Sequence, residues 1–458
     1  MKNPIRFGKT TDGLRRTLAT LALFVASSAS AQIAVELSRV NLPDRLQGGL
    51  HLHDGKLVVG VGAFQGTIWS YNLQNPASPT GPVILPGPGP IVAAEGSRII
   101  SSAYSFSLQP SGSWAVDGTV QSVGGFGHDL RGGLMIQRAN DGTSSTIVFR
   151  RQSSGQWLPE QTIPQANPVG ILSGERIVCG QGTTFRVYQR VKGQWFPTSV
   201  LPSGYRPEFR IDDDLFCREF QNGITQWRIL SDTAAGFVYG GFVPTPPTVA
   251  PWQGIQLDLT REKTARSGST LVIGCPTAWT ETYGGGCGNC QPGRILLDGA
   301  ALVYVRRPNL MYEFVGIIAN PDPWRATTCP CGDDLFGTYV TFSGGLLAVG
   351  ATAYPEGGVP AQAHIFQVGG DCDGNGISDL DELAAGSAND FNDNGIPDQC
   401  ECLADLNGDG SVGGADLAAL LAFWGPVSTF PLADINRDGL VSGPDLAALL
   451  GAWGACPQ

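Results

Sequence analysis

The sequence holds no apolar run of about 18 residues, the length a helix needs to cross a membrane. It also lacks any long stretch of 3.6-residue apolar period, which excludes an extended helical body. Histidine is scarce, with four in 458 residues. No nucleophile elbow, zinc-protease helix or phosphate-cradling glycine loop is present, so no catalytic set stands out. Basic residues nearly vanish toward the end. Residues 371–458 carry 15 Asp/Glu and one Arg, a balance of −14, against −11 for the whole chain, so residues 1–370 sum to +3. A chain charged in this way offers no basic face to nucleic acid. Its acidity is confined to one segment suited to holding cations.

That segment contains a duplication. Residues 405–416 recur as residues 434–445, 29 positions later, and each copy runs into Asp-Leu-Ala-Ala-Leu-Leu and then Trp-Gly (Trp424-Gly425, Trp453-Gly454). Oxygen-bearing side chains at positions 1, 3, 5 and 12 with Gly at position 6 are what a calcium-wrapping loop requires. The oxygens converge on one centre, and without a cation the carboxylates repel one another. Asx-rich turns capping two helices are the simpler alternative. Position 12 is Asp rather than Glu, and only the exiting helix is evident. The pattern over residues 403–457 resembles the dockerin family of paired EF-hand-like loop-helix units. The resemblance implies Ca2+ ligation by Asp405, Asn407, Asp409, Ser411 and Asp416 in the first loop, and by Asp434, Asn436, Asp438, Leu440 and Asp445 in the second. It implies a cohesin-like or cell-envelope partner. Loop positions 10 and 11 are Gly414-Ala415 and Gly443-Pro444, which departs from the hydroxyl-bearing positions of cellulosomal dockerins. The flanking Cys402 and Cys456 are placed as in the GC-type dockerin, where they would join the two ends of the module.

Two further acidic loops precede this module. Asp371, Asp373, Asn375, Asp379 and Glu382 form one set; Asp390, Asn392, Asn394, Asp398 and Glu401 form another, 19 residues on. An Ile follows the central Gly in each, which resembles the thrombospondin type-3 calcium repeat. That family has little apolar core, and the resemblance implies a Cys372–Cys400 disulfide. A flexible acidic linker is the alternative.

The first 31 residues read as an export signal: a basic start, the apolar run from Leu18 to Val25, and Ala29-Ser30-Ala31 before Gln32. Arg15-Arg16 leaves the Sec and twin-arginine routes both open. Export leaves eleven cysteines, an odd number. Cys287, Cys290, Cys329 and Cys331 have zinc-like spacing, although disulfides suit an exported chain better. Cys179 and Cys217 occupy matching places in adjacent repeats, which suggests pairing across neighbouring strands.

Residues 32–368 are all-β by their Gly, Pro and β-branched content. A short apolar strand recurs with starts at 57, 99, 134, 177, 215, 271 and 347, spaced 42, 35, 43, 38, 56 and 76 apart. Alternating strands with a following turn and aromatic residue accompany several of these, as in residues 146–157 and 186–195. Such units predict a seven-bladed β-propeller, with a β-sandwich array as the alternative. Ile33, Val35 and Leu37 are placed to add an outer strand to the last blade. Around Phe336-Gly337 and the strand at 346–350, the sequence resembles the FG-GAP blade of integrin-α-like propellers. Asp212-Asp213-Asp214 lacks the alternation of a calcium loop. His51 and His53, on one face of a strand, read as polar surface, with metal binding or acid-base work as the alternative; Arg150-Arg151 and Arg306-Arg307 read as solvated strand residues rather than a ligand clamp.

The expected class is mainly β: export signal 1–31, β-propeller 32–368, thrombospondin type-3-like repeats 369–402 and dockerin 403–458. The expected function is a secreted calcium-binding interaction or anchoring protein, with a protein or carbohydrate ligand on the propeller. The alternative is a component of extracellular polysaccharide breakdown, a glycoside hydrolase or carbohydrate-binding protein carried by its dockerin.

Overall fold

The computed structural model describes residues 34–456 apart from 43–45, 62–66, 87–90, 122–124, 140–141, 143, 222–223, 234–235, 247–251, 256, 258, 280–298, 307–310, 322–334, 352–360, 370–378, 389–396, 398–401, 408–410, 428–432 and 437. The proposed export signal therefore lies outside the described residues. So do Cys287, Cys290, Cys329, Cys331, Cys372 and Cys400.

The described strands form seven four-stranded antiparallel sheets, the blades of a β-propeller. Six blades are built from consecutive strands. The seventh draws its outer strand, Ala34–Asn41, from the other end of the chain, where it pairs with Gln362–Val368. Ring closure by an early strand is thus as the sequence suggests, with Ala34 and Val40 buried.

Every recurrent apolar segment is the second strand of its blade: Lys56–Val61, Arg98–Ser101, Leu134–Ala139, Arg176–Gln181, Asp214–Gln221, Thr270–Cys275 and Leu346–Ala351. Their near-continuous apolar character has a simple cause. Alternate side chains leave opposite faces of a strand, and here both faces meet another blade. Leu134 and Ile136 pack toward the fourth blade, whereas Met135 between them packs toward the second. Leu347 and Val349 face the sixth blade, and Ala348 faces the first. The apolar core of the ring is consequently a set of layers between successive blades. Aromatic residues opening fourth strands complete these layers; Trp157, Trp195 and Tyr312 are buried.

This arrangement corrects the suggested Cys179–Cys217 bridge. Both are buried thiols outside any disulfide. Cys179 lies in the layer between the third and fourth blades, and Cys217 in the layer between the fourth and fifth. The fourth sheet stands between the two sulfurs, so equivalent positions in adjacent repeats cannot meet. Burial pushes the Cys179 thiol up to about 12, which keeps it protonated and inert.

The Phe336-Gly337 pair marks a close approach between the sixth and seventh blades. Phe336 is fully buried, and Gly337 has φ +94°. A Cβ on Gly274 would stand 1.9 Å from the Gly337 carbonyl oxygen, so backbone meets backbone there and only glycine fits.

Beyond the ring, the short helix Asp379–Ala385 seats Leu380 in the layer that holds Phe366, Val368 and Ala34. The acidic segment is therefore tied to the last blades by an apolar contact that the thrombospondin-like pattern does not imply. Farther on, helices Gly414–Ala422 and Gly443–Gly451 enclose a small core of their own, with Val412, Leu420, Val441 and Leu449 buried. Among the described residues, no helix is long and apolar enough to cross a membrane.

Gly274→Ala is expected to destabilise the protein by about 1–3 kcal/mol, the usual cost of overpacking. Gly133→Ala, where a Cβ meets nothing within 4 Å, should stay within about 0.5 kcal/mol of the parent. Urea unfolding of the two variants side by side makes the comparison.

Candidate functional site

The first strands of the blades line the centre of the ring. There a cavity of about 380 Å³ is bounded by strands of the first, second, fifth, sixth and seventh blades, with His51, Glu95, Arg210, Thr264 and Tyr339 in its wall. A charged network crosses this lumen. Asp129 of the third blade has no solvent exposure. Its Oδ2 accepts from Arg210 Nε at 2.6 Å and from the Ile171 N–H at 2.7 Å; its Oδ1 faces Arg261 Nη1 at 2.6 Å. Arg210, from the fifth blade, continues across the ring. Its Nη2 donates to Glu95 Oε1 of the second blade at 3.0 Å and to the Leu130 carbonyl at 2.9 Å. Gly170 leaves space for it, because a Cβ there would lie 2.6 Å from Arg210 Cγ.

The electrostatics follow from this geometry. Burial acts to raise the Asp129 pKa, but the guanidiniums of Arg261 and Arg210 outweigh it and hold the carboxyl below its ordinary value. Glu95 goes the other way: burial pushes its pKa up, and Arg210 only partly opposes the shift. His51 Nε2 lies 2.7 Å from the Gly96 carbonyl. A carbonyl can only accept, so Nε2 carries the proton and Nδ1 is left as an acceptor. Burial pushes the His51 pKa down to about 4; the Gly96 bond acts against this, while His53 and Arg261 reinforce it. The ring stacks on His53 and meets Trp114 edge-on.

Two sequence-based readings are corrected here. His51 and His53 are lumen residues rather than polar surface, because the first strand of a blade faces the axis. The arginines read as solvated strand residues clamp blades together instead. Arg151 of the third blade meets Asp117 of the second at 2.9 Å. Arg150 joins Glu160 of its own blade to Glu175 at the edge of the fourth, at 3.1 and 3.0 Å. Arg306 of the sixth blade reaches Asp214 of the fifth at 3.3 Å; Arg307 lies outside the described residues. The Asp212-Asp213-Asp214 turn serves the same end: Asp212 binds Arg266 at 2.7 Å, Asp213 binds Arg131 at 2.6 Å, and Asp214 also pairs with Arg266. The sequence gives no sign of the Glu95–Arg210–Asp129–Arg261 set, whose members lie 115 and 81 residues apart where they touch.

The acidic loops form a second candidate site. In the second loop, Asp434 Oδ1 and Oδ2 accept from the amides of Asp438 (3.1 Å) and Gly439 (2.9 Å). Asn436 Oδ1 also accepts from the Asp438 amide, and Asp438 Oδ1 accepts from Leu440 N–H. Asp445 is fully buried; its Oδ1 accepts from Asn436 N–H at 3.2 Å and its Oδ2 from Ser442 N–H at 2.8 Å. The first loop repeats that last pair of contacts. Asp416 accepts from Asn407 N–H at 3.1 Å and from Gly413 N–H at 2.8 Å. Each position-12 carboxylate therefore caps its helix, where negative charge is favoured, and also closes its loop onto position 3. A carboxylate oxygen can accept more than one partner, so these amide bonds leave acceptor capacity toward the loop's interior. The donor set fits a hard, oxygen-seeking dication such as Ca2+.

The two loops are also interlocked. Ser411-Val412 pairs with Gly454-Ala455, and Leu440-Val441 pairs with Gly425-Pro426. Each loop thus lies against the segment that follows the other unit's helix. The Cys402–Cys456 disulfide closes the module, as the resemblance implies. Asp405 lies beside those sulfurs, 3.6 Å from Cys456 Sγ. Because the sulfurs are joined to each other, this group is not a thiolate set for a soft metal. Of the other expected ligands, Asp379 and Glu382 are buried on the short helix. Asp371, Asp373, Asn375, Asp390, Asn392, Asn394, Asp398, Glu401 and Asp409 lie outside the described residues.

No protein-family model matches this sequence, and no curated protein matches it. Among solved structures, the chain is similar to a protein from Lactobacillus plantarum at 13% identity, covering 60% of this chain and 86% of that one with a TM-score of 0.34. It is similar to the computationally designed Ika8 protein at 12% identity, covering 69% and 82%, with a TM-score of 0.36. It is also similar to a chain of the mitotic checkpoint complex at 10% identity, covering 80% and 99%, with a TM-score of 0.41. The blade assignment rests on the strand order and register within this chain.

Two outcomes are expected at the lumen. Asp129→Ala strands two guanidiniums and should cost about 3–5 kcal/mol in urea unfolding, as the loss of one partner of a buried ion pair does. His51 is neutral when folded and has a higher pKa when unfolded. The unfolded chain therefore binds more protons between about pH 4 and 6.5, and stability falls as pH drops through that window. Glu95, whose folded pKa is raised, acts in the opposite sense, so the comparison is between wild type and His51→Gln. The wild-type stability advantage over the variant should shrink on acidification from pH 7 to pH 4.

Proposed function

We propose that this chain is an exported, calcium-binding interaction and anchoring protein. The propeller is its binding platform, and the paired acidic loops form a calcium-dependent docking module. The observation that carries the reading is the duplicated capture of Asp416 and Asp445: each is buried at the start of a helix and tied to position 3 of its own loop. Two independent turns would have no reason to repeat both contacts at a 29-residue offset. The dockerin resemblance of residues 403–457 supports docking to a cohesin-like or cell-envelope protein. Cys402–Cys456 suits an oxidising compartment, in keeping with the leader.

A dication would be held by Asp434, Asn436, Asp438 and Asp445, with the Leu440 carbonyl, in the second loop. Asp405, Asn407, Asp409, Ser411 and Asp416 would hold one in the first. Bound there, it supplies the positive charge that lets several carboxylates share one loop. The chain's own part is to fix these oxygens on a disulfide-closed pair of helices.

Thermal melting of the full mature chain tests the reading. Calcium at about a hundredfold over its dissociation constant should stabilise the module by about 2.7 kcal/mol per site, and EDTA should reverse this. Asp405→Ala with Asp434→Ala should remove most of the response. A melt of the module that is the same in EDTA and calcium contradicts the assignment.

A further inference from the structure

We infer that the central lumen of the propeller is a binding site for a small, neutral, polyhydroxylated molecule of the sugar or polyol class. This deepens the platform reading of the propeller and depends on it, but it does not depend on calcium in the tail.

The cations of the wall are already matched: Arg210 by Asp129 and Glu95, Arg261 by Asp129, and Arg266 by Asp212 and Asp214. An anionic ligand would have to displace a carboxylate from one of these pairs. A cationic ligand would have to displace a guanidinium or settle for Glu262, the remaining charged group of the wall, which is exposed to solvent, where an ion pair is worth little. Breaking one of the close pairs is costly, so the wall disfavours charged occupants.

The hydrogen-bonding groups point to what the wall favours. Thr264 is 5% exposed, lines the cavity, and its hydroxyl has no hydrogen-bond partner among the described residues. A buried hydroxyl left without a partner costs about 1–3 kcal/mol, and such a group at a cavity wall is explained by a partner arriving from the cavity. Thr341, by contrast, is satisfied, accepting the Leu52 N–H at 3.0 Å. His51 presents Nδ1 as an acceptor while its Nε2–H stays on Gly96. A donor-acceptor hydroxyl and an acceptor imidazole together suit ligand hydroxyl groups, which both donate and accept. The stacked His51–His53 pair and Tyr339 add flat faces for the C–H side of a ring. The volume, about 380 Å³, is at the lower end of small-molecule sites. The site therefore takes a monosaccharide-sized or disaccharide-sized ligand rather than a polymer.

The test is calorimetric titration of the full mature chain with glucose, galactose, mannose, maltose, cellobiose and myo-inositol. Gluconate and glucosamine serve as charged counterparts, and every titration is run in calcium and again in EDTA. Saturable binding of at least one neutral probe is expected, at least tenfold tighter than its charged counterpart and equal in the two buffers. Thr264→Val keeps the side-chain shape and removes the hydroxyl. It should weaken that binding about tenfold while leaving the unliganded melting temperature unchanged or raised. Ser343→Ala, also in the wall, should weaken it too if Thr264→Val disturbs folding. Failure of all neutral probes to bind, or equal binding of charged ones, overturns the proposal. Neither result touches the calcium assignment, whose own failure would appear only as a tail insensitive to EDTA.

Discussion

A blade of this ring can bury its two faces only against its neighbours, and that constraint governs everything else in the fold. The second strand of each blade sends alternate side chains into two different layers, as Met135 does against Leu134 and Ile136. Neither face can be left to water, so the set of blades has no stable open form and must close. Closure then requires a strand for the last blade, which Ala34–Asn41 provides. Closure also brings first strands from opposite sides of the ring to within side-chain reach. The buried Asp129–Arg210–Glu95 chain exists only because the third, fifth and second blades converge on one axis.

The ion pairs are therefore a consequence of closure and also its registration marks. Apolar layers tolerate small slips, whereas a guanidinium held by Asp129, Glu95 and two carbonyls does not. Arginine suits this task because its planar fork meets several acceptors at fixed angles. The same device recurs between blades at Asp117, at Asp214, and at Glu160, which also meets Arg190 of the fourth blade at 2.6 Å. It leaves the lumen polar yet balanced in charge, which sets what the lumen can hold.

What could be read from sequence follows the same physics. Second strands were legible because burial on both faces makes them continuously apolar, so their starts could be counted at 57, 99, 134, 177, 215, 271 and 347. The closing strand was anticipated from Ile33, Val35 and Leu37, but the strand buries Ala34 and Val40 and leaves Val35 exposed, while Ile33 lies outside the described residues. The loops at 405–416 and 434–445 were legible as a repeat because a local backbone turn sets the spacing of their carboxylate and amide side chains, and the same spacing occurs twice. The lumen was not legible. Glu95, Asp129, Arg210 and Arg261 share no local pattern, and only the closed ring makes them neighbours. The same blindness placed His51 and Arg150 in solvent and paired Cys179 with Cys217, since sequence matching gives equivalent positions but not the sheet between them. The Asp379–Ala385 helix was masked by an acidic loop pattern, although Leu380 is the apolar anchor that binds it to the last blades.

The proposed function implies a division of labour: a ring that holds itself together by burial and ion pairing, and a tail whose order we propose depends on a dication. Hydrogen-exchange mass spectrometry of the full chain, with calcium and with chelator, tests it most directly. The account predicts that amides of the seven second strands exchange slowly and equally in both conditions. Those of Gly414–Ala422 and Gly443–Gly451 should be protected only with calcium. Tail protection unchanged by chelator, or second-strand protection lost with it, would contradict the account.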